Sequence, residues 1–172
     1  DWGAKCIRQT RDGGYIVTAS TWFNKNYQDR IKAILIKTDG SGIPIWRKEF
    51  DDPVEGHCYG NAIQTTNDGG YVVAVGIARD LYGRDWVNVS EFGNDSSIIK
   101  TDANGIVAWK STYDTKHDGN AVAVQQTKDG GYVTVGKGYA GKKNTWDIYL
   151  VKFGPEQPPK SSEPQAAATP PK

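Results

Sequence analysis

The sequence predicts an all-β protein built from three repeats of a four-stranded antiparallel meander. The segment Asp-Gly-Gly-Tyr occurs three times in the 172 residues, beginning at Asp12, Asp68 and Asp129. Each copy is preceded by a short alternating segment and followed by a run of β-branched residues, which is typical of two strands joined by a tight turn. No stretch has the 3.6-residue periodicity of an amphipathic helix.

The first two strands of each repeat flank the Asp-Gly-Gly turn. We expect first strands within 6–10, 62–66 and 123–127, and second strands within 15–18, 71–75 and 132–135. The paired glycines supply the positive φ angles that tight hairpin turns require.

The third strand of each repeat ends in a lysine, at Lys37, Lys100 and Lys152. In the first two repeats a turn of the form Thr-Asp-x-x-Gly follows, and then a fourth strand that carries Trp46 or Trp109. The third repeat stops at 153–154 and lacks a tryptophan strand. We interpret Trp46 and Trp109 as core residues because they occupy equivalent positions.

These motifs, Gln-x-Thr-x-Asp-Gly-Gly-Tyr followed by Ile-Lys-Thr-Asp-x-x-Gly and tryptophan, resemble the DGGY-type β-propeller repeats of bacterial and archaeal surface or secreted proteins. The resemblance covers residues 4–153 and implies blade-like sheets. Propellers have about four to eight blades, so three repeats imply a partial propeller or half of a dimeric six-bladed ring. A β-trefoil is the alternative, because it also uses threefold repetition at this chain length.

The domain organisation follows from composition. We expect a β-repeat domain over 1–154, with repeats at about 4–50, 58–113 and 118–153. Residues 155–172 contain six of the eight prolines and no aromatic residue. Such a segment buries too little apolar surface to offset the entropy of ordering, so we predict a disordered Pro-rich linker or tail.

Composition also excludes several function classes. The net charge of +1 argues against a nucleic-acid partner, which requires a basic surface. No apolar run approaches the roughly 20 residues that span a bilayer. Nucleophile, phosphate-loop and dinucleotide motifs are absent, so we predict no enzyme activity and no cofactor. We expect an extracellular or cell-surface location, with a signal peptide removed.

Three segments differ between the repeats, at roughly 21–32, 76–96 and 136–146, and we predict that they are long loops on one face. Divergent loops on a uniform scaffold usually carry binding. We therefore predict a module that binds a glycan or a protein partner, and one that self-associates. The candidate ligand-binding residues are aromatic or basic: Trp22, Phe23, Tyr27, Arg79, Tyr82, Arg84, Trp86, Tyr139 and Trp146.

Two alternatives remain open. The repeats are assembly units of a surface ring or fibre, or the protein is a carbohydrate-active hydrolase that uses paired loop carboxylates. The linkers between repeats carry acids and the only two histidines but lack metal-ligand spacing. We predict no metal site, and the weak candidates are Asp51, Asp52, His57, Asp114, His117 and Asp118.

Two Asn-x-Ser sequons make Asn88 and Asn94 glycosylation candidates in a secreted protein. Cys6 and Cys58 fit neither a disulfide-dense scaffold nor a zinc site, and their spacing does not establish a disulfide.

Overall fold

A computed structural model of the chain describes residues 3–25, 28–50, 56–79, 94–113, 119–139 and 146–155. These residues form eleven strands in three sheets, which confirms the all-β class. Sheet 1 contains β1 (Gly3–Gln9), β2 (Tyr15–Lys25), β3 (Gln28–Thr38) and β4 (Pro44–Phe50). Sheet 2 contains β5 (Gly56–Thr65), β6 (Tyr71–Arg79), β7 (Asn94–Thr101) and β8 (Val107–Tyr113). Sheet 3 contains β9 (Gly119–Gln126), β10 (Tyr132–Tyr139) and β11 (Trp146–Phe153).

Each sheet is an antiparallel meander in which every strand pairs with its neighbours in sequence. The described strands pair only within their own repeat and form no closed barrel. The β-trefoil alternative is therefore wrong. The physical reason is local: short glycine turns return the chain directly to the strand that it has just left, so each described strand pairs with its neighbours in sequence.

The Asp-Gly-Gly turn needs its two glycines for different reasons. Gly13 has a φ of +81°, a conformation that residues with a Cβ rarely adopt. A Cβ at Gly14 would collide with the carbonyl oxygen of Thr38 and would lie 2.7 Å from Lys37 Nζ. The first glycine therefore sets the turn, and the second lets the backbone approach the end of the third strand.

The lysine that ends the third strand holds this turn in place. In sheet 1, Lys37 Nζ donates to the carbonyl oxygen of Thr38 at 2.8 Å and lies 2.8 Å from Asp12 Oδ2. The other carboxylate oxygen, Asp12 Oδ1, accepts from the Thr10 hydroxyl and from the amide of Gly14 at 3.1 Å. We call this arrangement the Asp–Lys clasp. It recurs in sheet 2 with Asp68 and Lys100, and in sheet 3 with Asp129 and Lys152.

The sheets stack face to face. The first strand of sheet 2, β5, packs against β1, β2 and β3, and β9 packs in the same way against β5, β6 and β7. We call the face that contacts the following sheet the leading face, and the face that contacts the preceding sheet the trailing face. The stack buries the leading face of sheet 1 with the trailing face of sheet 2 in one apolar cluster, which includes Ile16, Leu35, Ile63, Val73 and Ile99.

Aromatic pairs repeat at both junctions. Trp46 on sheet 1 lies 6.1 Å from Tyr71 on sheet 2, measured between ring centroids. The equivalent pair at the next junction, Trp109 and Tyr132, is separated by 5.5 Å in an edge-to-face arrangement. The prediction that both tryptophans are structural agrees with this packing, since each seals the boundary between two sheets.

The second junction also contains buried polar contacts. Ser96 Oγ lies 2.7 Å from the hydroxyl of Tyr149 and accepts from the Ala121 amide at 3.0 Å. The hydroxyl of Tyr113 lies 2.8 Å from Thr134 Oγ1. Hydrogen bonds satisfy these buried polar groups and fix the lateral position of sheet 3 on sheet 2.

Removal of the clasp lysine should be costly only where the lysine is buried. We expect Lys100→Met to lower the free energy of unfolding by about 1–3 kcal/mol, because the buried Thr101 carbonyl loses its donor. The matched change Lys152→Met should cost clearly less, since the Lys152–Asp129 pair is exposed. Urea unfolding followed by circular dichroism measures both variants, and equal losses would contradict a burial-dependent role.

Acid should weaken the clasps. Burial acts to raise the pKa of Asp68, but hydrogen bonds from Lys100, Thr66 and the Gly70 amide outweigh it and lower the pKa to about 2. Hydrogen bonds from the clasp lysine and threonine also hold the pKa values of Asp12 and Asp129 well below the ordinary value.

A folded-state pKa below the unfolded-state value stabilises the protein above the unfolded pKa, and this stability is lost as pH falls through the folded pKa. We therefore expect the Tm to drop between about pH 4 and pH 2. The variant Asp68→Asn should show a shallower drop over that window. A Tm that is independent of pH there, or an unchanged slope in the variant, would contradict this role.

Candidate functional site

The predicted loop segments are strands over much of their described length. β2 and β3 remain paired to Lys25 and Gln28, so the loop predicted at 21–32 is largely a long hairpin. Likewise, 76–79 and 94–96 continue β6 and β7, and 136–139 continues β10. The loop prediction is wrong for these residues, because cross-strand pairing extends beyond the alternating core of each repeat.

Several predicted ligand-binding residues therefore stand on strand ends. Trp22 pairs with Ile31 and is half-buried, and Phe23 pairs with Arg30. Tyr139 and Trp146 are cross-strand partners at the end of the β10–β11 hairpin, and Arg79 ends β6. The antiparallel order brings these positions to the same end of their respective sheets. The remaining candidates lie outside the described residues: Tyr27, Tyr82, Arg84 and Trp86.

The predicted metal and glycosylation candidates are mostly outside the described residues as well, namely Asp51, Asp52, Asp114, His117, Asp118 and Asn88. His57 lies in β5, where its Nδ1 accepts a hydrogen bond from the Ile31 amide at 3.1 Å and links sheet 2 to sheet 1. Asn94 begins β7 opposite Ala78. Within the described ranges, no group of three or more potential metal ligands is present. Cys6 and Cys58 form no disulfide with each other.

The largest exposed apolar side chains of sheet 3 identify a different candidate site. Leu150 occupies the position on β11 that Leu35 occupies on β3 and Ile98 on β7, as the shared clasp lysine two residues later shows. Leu35 and Ile98 are 0% exposed, whereas Leu150 is 68% exposed. On the same leading face, Ile148 is 84% exposed. The difference arises because sheets 2 and 3 cover the first two positions, and no described sheet covers the third.

The clasp shows the same contrast. The side chains of Lys37 and Lys100 are 6% and 5% exposed, but that of Lys152 is 43% exposed. The Asp129–Lys152 clasp is nevertheless formed, with Nζ 2.8 Å from Asp129 Oδ2. The clasp of sheet 3 thus has the same form as the clasps that the other two sheets present to their neighbours.

Sheet 1 exposes the complementary surface. Its trailing face carries Ile7, which is 54% exposed, while the equivalent residue of sheet 2, Ile63, is 1% exposed against sheet 1. Tyr15, Val17 and Ile36 on this face are only partly buried. Tyr71, Val73 and Ile99, their equivalents on sheet 2, are buried in the junction.

We define the candidate functional site as these two surfaces, the open leading face of sheet 3 and the open trailing face of sheet 1. Their apolar residues are exposed at positions that are buried in other sheets, which makes these two faces candidate interaction surfaces. Sequence reasoning missed Leu150, Ile148 and Ile7. An alignment of the repeats by the Asp-Gly-Gly-Tyr turn and the clasp lysine would have placed them at positions that are buried in other repeats.

The sequence matches no protein-family model, and no curated protein is significantly similar to it. The resemblance to DGGY-type repeats therefore stays a prediction from the motifs alone.

Proposed function

We propose that this protein is a structural assembly module, in which the leading face of sheet 3 docks on the trailing face of sheet 1 of a second copy. The exposure of Leu150, at a position that is fully buried in both other sheets, is the observation that carries this proposal. The chain already contains two examples of the required interface. Each joins a leading face to a trailing face, so the two open surfaces correspond to the two sides of an existing junction, apart from the fourth strand and its tryptophan.

The electrostatic interactions at the two junctions support the same order of faces, with a trailing face packed on the leading face of the sheet before it. Burial raises the pKa of Tyr71 and Tyr132, and the clasp carboxylates of the preceding sheet, Asp12 and Asp68, raise it further. Each tyrosine therefore lies near the clasp of the sheet before it. In the proposed contact, Tyr15 of the second copy takes this position near Asp129.

A head-to-tail contact leaves the same pair of faces open at the far ends, so it continues until a ring closes. Two copies provide six sheets, which is within the range of blade numbers of closed propellers. We propose that two copies close such a ring. On the resemblance of the repeats alone, we propose that it acts at the cell surface or in the extracellular space.

The first test is the solution mass with and without a charge in the open faces. We expect the full chain to have about twice the 18.9 kDa of one copy when measured by light scattering after size exclusion. Leu150→Asp should give a folded protein of single-copy mass, because the aspartate must lose its hydration in the contact. Ile106→Asp is the matched control, since Ile106 is 60% exposed in a turn of sheet 2 and should leave the mass unchanged.

The polarity of the contact can be tested by mixing two variants. Ile7→Asp should also have single-copy mass, because it damages the trailing face of sheet 1. This variant retains an intact sheet 3, and Leu150→Asp retains an intact sheet 1, so a mixture of the two should recover a species of twice the mass. A full chain of single-copy mass, or variants that fail to complement each other, would reject the head-to-tail arrangement.

A second candidate function is binding of a glycan or protein partner at the hairpin ends. The observation that favours it is the cross-strand pairing of Tyr139 with Trp146, which are opposite each other on neighbouring strands at the sheet end equivalent to that where β2 carries Trp22. Aromatic rings and their polar atoms suit both sugar stacking and protein contacts.

This second function predicts that the hairpin aromatics can be removed without loss of the fold. The double variant Trp22→Ala and Trp146→Ala should reduce binding to a glycan array by about tenfold or more, as expected for aromatic anchors. Circular dichroism should show retained β structure, and the Ile106→Asp variant should bind like the parent. Undiminished binding by the double variant would exclude this surface.

A further inference from the structure

In sheet 3, the third strand is the last described strand of the sheet, whereas in sheets 1 and 2 a fourth strand pairs with it. In sheets 1 and 2, the third strand pairs on its outer side with β4 and β8, respectively. In sheet 3, β11 occupies the equivalent position, and the strands described there are β9, β10 and β11 only. An edge strand presents backbone amide and carbonyl groups that can pair with another extended chain.

The two filled edges share one register. Lys37 is opposite Trp46 on β4, and Lys100 is opposite Trp109 on β8. Both pairings contain an irregularity between this lysine and the following threonine. Four residues after the tryptophan, an aromatic side chain lies opposite the third strand again, as Phe50 opposite Ala33 and Tyr113 opposite Ser96.

The sequence of the filling strands is equally specific. Residues 46–50 read Trp-Arg-Lys-Glu-Phe and residues 109–113 read Trp-Lys-Ser-Thr-Tyr. Both fit the pattern tryptophan, basic residue, two variable residues, aromatic residue. Trp46 and Phe50 pack against the core between sheets 1 and 2. Tyr113 lies 5.5 Å from Phe153 between ring centroids, in the second junction.

The same positions along β11 are uncovered. Lys152 is the equivalent of Lys37 and Lys100, and Ile148 is the equivalent of Ala33 and Ser96. Both Lys152 and Ile148 are exposed. Residues 155–172 contain no tryptophan, tyrosine or phenylalanine, so they do not carry the pattern.

We infer that the free edge of β11 is an acceptor site for an extended segment of the pattern Trp-(Arg/Lys)-x-x-(Phe/Tyr). The segment adds to sheet 3 as an antiparallel fourth strand, with its tryptophan opposite Lys152 and its aromatic residue opposite Ile148. Backbone hydrogen bonds supply affinity, and the two aromatic side chains supply specificity and register. This site differs from the head-to-tail contact, because the segment pairs with the backbone at the edge of β11. The head-to-tail contact uses the side chains on the leading face of sheet 3.

The test uses a labelled peptide with the sequence of residues 105–113, Gly-Ile-Val-Ala-Trp-Lys-Ser-Thr-Tyr. Fluorescence anisotropy should show saturable binding to the full chain with one peptide per copy. The peptide with Trp109→Ala should bind about tenfold or more weakly, as expected for a tryptophan anchor. The same titration is repeated with the Ile7→Asp variant, which keeps sheet 3 intact but should not form the head-to-tail contact. Peptide binding to this variant therefore tests the edge of β11 whether or not the head-to-tail proposal holds.

The matched control is a variant of the protein in which the edge of β11 is already paired with a fourth strand. A chain in which residues 154–165 are replaced by the sequence of residues 102–113 carries its own turn and fourth strand, and it should not bind the peptide. Hydrogen exchange on the unmodified full chain locates the bound peptide independently. We expect the peptide to protect the backbone amides of residues 146–153. Absence of saturable binding, equal binding of the Trp109→Ala peptide, or protection elsewhere in place of β11 would overturn the inference.

Discussion

The clasp between the turn aspartate and the third-strand lysine connects the local geometry of each sheet to the packing between sheets. A lysine at the end of a buried strand would leave a charge in an apolar junction, which is unfavourable unless that charge is paired and hydrogen-bonded. Asp12 and the Thr38 carbonyl meet both requirements for Lys37. The next sheet can therefore cover the lysine, and the same turn motif can be repeated along the stack.

Stacking of this kind has a consequence at its ends. Sheet 2 lies between the other two sheets and buries both of its faces, so it contributes most of the buried apolar residues of the described chain, among them Val72, Val73 and Ala74. Sheets 1 and 3 each carry repeated core positions on a face that no described sheet covers. Repeat proteins ordinarily place polar residues on such terminal faces. Ile7, Ile148 and Leu150 instead keep exposed apolar side chains there, as the proposed contact between copies requires.

The sequence predicted the architecture well because its information is local. The Asp-Gly-Gly and Asp-x-x-Gly turns define the hairpins, and the alternation between them defines the strands, so the meander needs no long-range knowledge. The extension of β2 and β3 to Lys25 and Gln28 was not predictable in this way, because pairing there lacks the alternation of the core. The open faces were also missed, since exposure at Leu150 depends on the absence of a neighbour and not on the residue itself.

The repetition also limits what can occupy the open end. An arbitrary apolar partner could cover Leu150, but it would not match the preformed Asp129–Lys152 clasp and the bare edge of β11 together. In the two complete junctions, one tryptophan pairs with the clasp lysine of its own sheet and contacts the tyrosine of the next sheet. The tryptophan of the fourth strand therefore belongs both to the strand that fills the sheet edge and to the face that contacts the next sheet. A strand that fills the edge of β11 would complete the surface on which Tyr15 of the following copy packs, and the two proposed contacts would then reinforce each other.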